Sequence, residues 1–254
     1  EILYITIIKS LYIKWLKMGN IFKFFLYILP LFILIGCEKI NVEINCEKIL
    51  DETYINSSLN NFEKNKFRDL YTNRYPQYDL MFHEASLETN LDKNLLAAIS
   101  FQESQWDPRA QSNMGVRGMM MVTLETAKLV GVKKRLNPEQ NIKGGARYLA
   151  ILKDKNKIGA TDGDKLSILL ASYNLGPTNI INVANLIDAN PKNVTWEQIE
   201  ERLKIISGED LNLVDSKNYS RGQQAIDYVY RVKSYYNILS AHACIAPKDQ
   251  LVFF

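Results

Sequence analysis

From about Tyr75 onward, apolar residues return at helical intervals along the chain. Leu91, Leu95, Ile99 and Glu103 lie four apart, which places them on one face of a helix. Two later stretches have similar inward faces, formed by Ile142, Ala146, Leu149 and Leu152 and by Ala225, Val229, Val232 and Leu239. No convincing alternation typical of a strand occurs. The pattern therefore predicts a mainly α domain with one core and at most a small β element.

Capping residues mark several ends of the predicted helices. Thr123 is expected to cap one helix, and Asn137-Pro138 to start the next. Asp164 is expected to cap "KLSILLASYNLG", which stops at Gly176-Pro177. The stretch "TWEQ" (195–198) has the spacing of a capping box and indicates a further helix start.

The segment before this helical region has a different composition. Residues 38 to about 70 are polar, rich in Asn, Glu and Lys, and only weakly periodic. We therefore predict a tether with at most one helix over residues 37–74. The helical domain is predicted to span residues 75–240, followed by a C-terminal tail over residues 241–254.

The first residues are apolar with scattered lysines. We expect translation to start at Met18, followed by a short basic region and an apolar run over residues 24–35. That run is shorter than the roughly 20 residues of a membrane-spanning helix, so residues 1–36 are predicted to be upstream residues and a secretory signal. "LIGC" closes the run and resembles the lipobox of bacterial lipoproteins, in which the cysteine, here Cys37, carries the lipid. The alternative is a transmembrane anchor that includes residues 2–16, which lysines interrupt.

Export places the remaining cysteines in a compartment where disulfides persist. Cys46 and Cys244 either pair or remain two free thiols, and the sequence leaves both open. The two histidines, His83 and His242, stand in unrelated contexts, so no metal site and no cofactor are predicted. The net charge of +3 over 254 residues, without a run rich in Lys or Arg, argues against a nucleic-acid partner.

Glu103 is the acidic residue best placed for chemistry. It ends the apolar helix face, where partial burial raises the pKa of a carboxyl group. The dipole at a helix C-terminus acts in the same direction, and both effects suit a general acid that holds its proton near neutral pH. The alternative is a solvated helix end. Nearby, Asp107 precedes a proline, and "SNMGVRGMMM" (112–121) taken alone indicates a turn followed by core.

Several stretches together resemble the catalytic domain of soluble lytic transglycosylases. "ISFQESQWDPRAQS" is similar to its glutamate-serine motif, "GVRGMMMVTLETA" to its glycine-methionine motif and "ASYNLGP" to its Ala-Tyr-Asn motif. "NIKGGARYLAIL" and "YVYRVKSYY" resemble the helix between the last two motifs and the closing tyrosine-rich helix. The resemblance covers residues 75–240, and Gly-Met-Met-Met at 118–121 is similar to the branch of membrane-bound lytic murein transglycosylase F.

The resemblance implies a lysozyme-like helical fold and a function. Such enzymes cleave the β-1,4 bond between N-acetylmuramic acid and N-acetylglucosamine in peptidoglycan without water, and leave 1,6-anhydro ends. Glu103 would serve as both acid and base. By the same resemblance, Ser104 would orient Glu103 or the substrate. The residues expected to shape or contact the glycan groove are Gly118, Met119, Met120, Met121, Tyr148, Tyr173 and Asn174.

The same resemblance sets expectations for location and partners, and leaves two rival functions. The enzyme is expected to be lipid-anchored in a bacterial envelope and to face the periplasm, with the outer membrane favoured and the inner membrane left open. The branch usually carries a solute-binding-like domain ahead of the catalytic one, so regulation by that domain is expected to be either absent or supplied by a separate regulatory protein. The rivals are a goose-type lysozyme, which would use water, and a non-catalytic wall-binding lipoprotein.

Overall fold

Helices carry almost all of the regular structure in residues 45–205 and 221–245, the part of the chain that our computed structural model describes. In chain order the α-helices are α1 (Cys46–Asn56), α2 (Asn61–Asn73), α3 (Asp79–Thr89), α4 (Lys93–Ser104), α5 (Leu124–Leu129), α6 (Pro138–Lys155), α7 (Asp162–Leu175), α8 (Pro177–Asn185), α9 (Trp196–Ile205) and α10 (Arg221–Ile245). Two 3-10 turns, Tyr75–Gln77 and Pro191–Asn193, complete the set. Arg117 forms isolated antiparallel bridges with Gln111 and Val122. The prediction of a mainly α domain with a small β element is confirmed.

Helix α4 lies at the centre of the fold. Every residue from Leu95 to Phe101 is buried, and the helix packs against α3 and α10. A helix that is apolar all round belongs inside a protein, because no face of it gains from contact with water. Asp92 caps its N-terminus by accepting hydrogen bonds from the backbone of Asn94 and Leu95. Its last turn therefore emerges from the core carrying Glu103.

Most of the predicted helix starts are where the sequence placed them. The Thr123 side chain caps α5, Asn137 and Pro138 start α6, and the capping box at Thr195 opens α9. The predicted cap at Asp164 is wrong by one turn. Thr161 caps α7 instead, and Asp164 is the third residue of a reciprocal capping box with it.

The tether predicted for residues 37–74 is wrong for the part that the structure describes. Residues 46–73 form α1 and α2, and Phe67 and Leu70 of α2 lie in the core. Likewise α10 continues to Ile245, so the predicted tail begins as helix. A few apolar residues at helical spacing stabilise these helices despite their polar composition, because packing onto a core outweighs weak intrinsic helix propensity.

A disulfide closes this side of the fold. Cys46, the first residue of α1, is bonded to Cys244 in the last turn of α10. Next to it, the His242 ring stacks on Tyr71 at a centroid distance of 4.1 Å and meets the edge of Tyr54 at 6.2 Å. Of the alternatives that the sequence left open for these cysteines, the structure has the bonded pair.

The predictions for residues 1–36 and Cys37 lie outside the described residues. No helix within the described ranges is both long and apolar enough to cross a bilayer.

Candidate active site

Glu103 lies in the last turn of α4, where α10 meets it. The Tyr228 hydroxyl, from α10, donates a hydrogen bond of 2.9 Å to Glu103 Oε1. Protein atoms surround the carboxyl group densely, although the residue as a whole keeps partial access to solvent. Burial raises the pKa of Glu103 to about 7, against the opposing effect of the Tyr228 hydrogen bond. The carboxyl group is therefore poised to be protonated or ionised near neutral pH.

The described residues place no second carboxylate beside Glu103. Burial and Tyr228 are the causes of its pKa shift, and no acidic side chain contributes to it. Asp107, the next acid along the chain, accepts a 2.9 Å hydrogen bond from the Arg109 backbone and so stabilises a surface turn. A reaction at this position that needs both a general acid and a general base would have to use the same carboxyl group for both, in turn. A reaction that needs only one of them could use it once.

Directly after α4 the backbone has a conformation that residues other than glycine rarely adopt. Gln105 and Trp106 both have left-handed φ values, 53° and 57°. Such residues cost of order 1 kcal/mol each and persist only when the surroundings hold them. Here the fully buried Trp106 ring is the anchor, and its Nε1 donates a 2.9 Å hydrogen bond to the Ala97 carbonyl oxygen. This anchor fixes the chain directly after the acid.

Residues 117–121 form a rigid segment beside α4, organised by the buried side chain of Asn141. Its Oδ1 accepts a 2.7 Å hydrogen bond from the Met120 backbone, while its Nδ2 donates to the carbonyl oxygens of Arg117 and Arg135 at 2.9 and 2.7 Å. All three hydrogen bonds of the amide group are thus made within the protein. Asn141 is a structural residue of the site that the sequence reasoning missed.

The structure shows what Ser104 and the methionines contact within the protein. The Ser104 hydroxyl donates to the Met119 carbonyl oxygen at 2.8 Å, and Ser100 reinforces this contact at 3.1 Å. Ser104 therefore fastens the 117–121 segment to α4, and no hydrogen bond links it to Glu103 in the structure. Met119 and Met120 are completely buried, and only Met121 reaches the surface, with a left-handed φ of 45°.

Three tyrosines and Glu103 form one electrostatic cluster. The Tyr173 hydroxyl donates a 2.9 Å hydrogen bond to the Met120 carbonyl oxygen, and its ring lies 5.7 Å from that of Tyr148. Burial, and then the charge of Glu103, raise the pKa of Tyr173 and Tyr228 well above the usual range. Both phenols remain neutral hydrogen-bond donors. Asn174, the next residue after Tyr173, is exposed.

Gly118 is required by the protein itself. Its φ is +83°, and a Cβ atom there would lie 2.2 Å from the Arg135 carbonyl oxygen and 2.3 Å from Asn141 Nδ2. The resemblance gave Gly118 a part in shaping the glycan groove, and the close approach that the structure shows at this glycine is to Asn141 and Arg135.

We expect Gly118→Ala to lower the free energy of unfolding by about 1–3 kcal/mol, because the methyl group displaces Asn141 from a well-packed position. Urea denaturation measures the change. Gly115→Ala is the matched control, since Gly115 also has a positive φ, of 75°, but has no atom within 4 Å of the added methyl group. Equal losses in the two variants would show that backbone strain alone, without the Asn141 contact, explains the effect.

Two comparisons, one with models of protein families and one with the sequences of known proteins, point to the same family. Residues 80–195 match the family model described as "Transglycosylase SLT domain". The chain is 38% identical over 167 residues to membrane-bound lytic murein transglycosylase F 2 of Alkalilimnicola ehrlichii, which covers 65% of this chain and 37% of that protein. It is 42% identical over 150 residues to membrane-bound lytic murein transglycosylase F of Aeromonas hydrophila, covering 59% of this chain and 30% of that protein. The chain thus spans only about a third of the length of these relatives.

Among solved structures, the chain is similar to an inactive mutant of the lytic transglycosylase Slt from Pseudomonas aeruginosa. That alignment has a TM-score of 0.48 and 18% identity, and covers 71% of this chain and 28% of the other.

Proposed function

Residues 80–195 are a transglycosylase SLT domain, and from this membership we propose that the chain is a lytic transglycosylase acting on peptidoglycan. The observation that carries the proposal is Glu103, a single buried carboxyl group with a pKa raised to about 7 and no carboxylate partner among the described residues. The curated relatives are named as lytic murein transglycosylases, and the proposal takes its class of substrate from those names.

The proposed reaction begins with Glu103 protonated. Its proton passes to the glycosidic oxygen between N-acetylmuramic acid and N-acetylglucosamine as the bond from that oxygen to the anomeric carbon breaks. The bonding electrons leave with the N-acetylglucosamine oxygen, and positive charge develops on the muramic acid ring. The substrate's own N-acetyl oxygen stabilises that charge.

The second step returns the enzyme to its starting state. Glu103, now ionised, removes the proton from the 6-hydroxyl group of the same muramic acid. The freed oxygen bonds to the anomeric carbon and gives a 1,6-anhydro ring, so water is not consumed. A pKa near the working pH serves both steps, because the group has to lose and regain a proton in each cycle.

The remaining side chains divide into those proposed to contact glycan and those that frame the groove. Met121, Tyr148, Tyr173 and Asn174 retain some surface and are proposed to contact the sugar. Ser104, Gly118, Met119 and Met120 are proposed to act through the backbone of the 117–121 segment, which they hold in place.

Mass spectrometry of products from isolated sacculi tests this function. We expect muropeptides with 1,6-anhydromuramic acid ends. Reducing ends would identify a lysozyme that activates water, and the absence of any product would identify a wall-binding protein without catalysis.

We expect Tyr228→Phe to move the alkaline limb of the pH–rate profile upward by about one pH unit. In the wild type the Tyr228 hydrogen bond stabilises ionised Glu103, so its removal raises the pKa of Glu103. The general acid works only while protonated, so the wild-type rate falls as pH rises through about 7, the pKa of Glu103. Loss of a hydrogen bond that orients the carboxyl group should also lower kcat by about tenfold. The profile of kcat against pH measures both changes.

Tyr230→Phe is the control for Tyr228→Phe. Tyr230 lies on the same helix but donates its hydroxyl to Glu200 at 2.6 Å. Its profile should overlay that of the wild type. A Tyr228→Phe profile with an unmoved alkaline limb would show that Tyr228 does not set the pKa of the catalytic acid.

We further propose an envelope location with a lipid on Cys37. Support comes from "LIGC" in the sequence and from relatives that are named membrane-bound. Labelling cells with a fatty acid tests it: Cys37→Ser should lose the label, and equal labelling of wild type and variant would rule the anchor out.

A further inference from the structure

A cleft of about 900 Å³ opens at the opposite end of α4 from Glu103. It lies between the start of α4, the end of α6, the start of α7 and the loop over residues 156–160. Leu95 lines it, and Leu95 precedes Glu103 by eight residues, which is about 12 Å along a helix. The cleft is therefore separate from the reaction centre, although the same two helices, α4 and α7, contribute to both.

The cleft combines an apolar floor with a cationic rim. The floor is formed by Leu91, Leu95, Leu166 and Leu169, and the rim carries Lys153, Lys157, Lys165 and Lys192. No aromatic ring is among the lining residues that the structure describes. Methyl groups and carboxylates match this lining better than an uncharged sugar ring, which offers hydroxyl groups that leucines cannot pair.

The charges of the rim are only partly balanced. Lys165 forms a 2.9 Å ion pair with Asp162, and Asp92 is occupied in capping α4. Within the described ranges, Lys153, Lys157 and Lys192 form no ion pair, and Asp154 is the one remaining acid of the lining. The four lysines of the lining thus outnumber its three aspartates by one, and an anion is favoured at the lysine-rich part of the rim.

One wall of the cleft is fixed in advance. The Gly159 and Ala160 backbone N–H groups donate to the carbonyl oxygens of Pro191 and Val194 at 3.0 and 2.9 Å. Gly159 also has a φ of +130°, and a Cβ atom there would lie 2.7 Å from the Lys165 backbone nitrogen. A ligand would therefore bind without the cost of ordering this loop.

We propose that this cleft binds a peptide stem of peptidoglycan, at a point remote from the sugar being cleaved. This inference rests on the proposed function for its choice of ligand. Stem peptides carry several free carboxylates and small methyl side chains, as the rim and floor require. A stem held here, whether it belongs to the reacting muramic acid or to a neighbouring one, gives the wall a second contact and raises the effective concentration of glycan at Glu103.

Titration with a stem peptide that has no sugar tests the cleft independently of catalysis. The probe is the free tripeptide L-alanyl-γ-D-glutamyl-meso-diaminopimelate, followed by amide NMR on the full chain. We expect saturable shifts at Gly159 and Ala160. Lys153→Glu combined with Lys157→Glu should weaken binding about fivefold or more, because each exposed charge contact contributes modestly and reversal adds repulsion.

Lys48→Glu combined with Lys64→Glu is the matched control, with the same change of charge on α1 and α2. It should leave the peptide affinity within about twofold of wild type, allowing for weak screened effects at a distance. Shifts that instead cluster at residues 117–121, shifts that do not saturate, or equal losses in the two double variants would overturn the inference.

Kinetics separates this inference from the function on which it rests. On intact sacculi the cleft variant should raise KM with kcat unchanged, and on glycan chains stripped of peptide it should match the wild type. Anhydro products without peptide binding would contradict the proposal for the cleft and support the proposed lyase activity. Peptide binding without anhydro products would contradict the lyase activity and support the proposal for the cleft.

Discussion

Glu103→Gln is expected to abolish the release of anhydromuropeptides, with a loss of at least about 10²–10⁴-fold in rate, the range that acid–base groups contribute. Glutamine keeps the size and the hydrogen-bonding capacity of the side chain but cannot give a proton to the leaving oxygen or take one from the 6-hydroxyl group. Because one residue serves both steps in the proposed reaction, no other group of the described site replaces it. Digestion of sacculi with product detection by mass spectrometry measures the loss.

The loss should occur without damage to the fold. Folding raises the pKa of Glu103 from 4.5 to about 7, so its protonated form is favoured in the folded state and its ionised form costs stability as pH rises through that range. Glutamine removes this cost, and the variant should be at least as stable as wild type above pH 7. Asp107→Asn is the control and should retain most of the activity, since Asp107 stabilises a turn. A folded Glu103→Gln protein with near wild-type turnover would contradict the proposed role of Glu103 as acid and base.

Replacing both cysteines by serine is expected to lower the free energy of unfolding by about 2–5 kcal/mol. The bond between Cys46 and Cys244 joins residues separated by 198 positions, so its absence greatly enlarges the set of conformations open to the unfolded chain. The native packing of His242 on Tyr71 remains available to the variant. Urea denaturation under non-reducing conditions measures the difference.

Wild type unfolded in the presence of a reductant is the matched control and should approach the curve of the double variant. Activity below the unfolding transition should persist in both, because the disulfide lies on the side of the fold formed by α1 and the end of α10. Two alkylatable thiols in protein purified without reductant, or superimposed unfolding curves, would contradict the bond.

Much of the helical fold follows from local sequence signals, and the exceptions have a physical reason. Two neighbouring residues, Asn137 and Pro138, are enough to indicate where α6 begins. The apolar run of α4 and its cap Asp92 are equally local signals, so both helices can be predicted from the sequence. Helices α1 and α2 depend on distant partners, since Phe67 packs against Phe101 and Tyr235. A polar segment with a narrow apolar face gives no strong local signal, and only the core it joins makes it helical.

The candidate site shows the same division. Glu103 could be predicted because its own helix face and its motif point to it. Tyr228 could not, because its link to Glu103 crosses 125 residues and the sequence shows only a tyrosine-rich helix. The roles expected for Ser104, Met119 and Met120 stay predictions, and the structure adds what their side chains contact. The resemblance placed these residues at the groove, and only the structure shows that Ser104 is hydrogen-bonded to the Met119 backbone and that Met119 and Met120 are buried beside the acid.

The pairing of Glu103 with Tyr228 also sets an order of events during synthesis. Helix α4 leaves the ribosome long before α10, and α10 supplies both the phenol that holds the carboxyl group and much of the packing around α4. Chains are made from the N-terminus at about 5–20 residues per second, so for several seconds a nascent chain holds the acid without its surroundings. A chain interrupted before α10 would carry an ordinary surface carboxylate. The surroundings that raise the pKa of Glu103 are therefore complete only once α10 has been made.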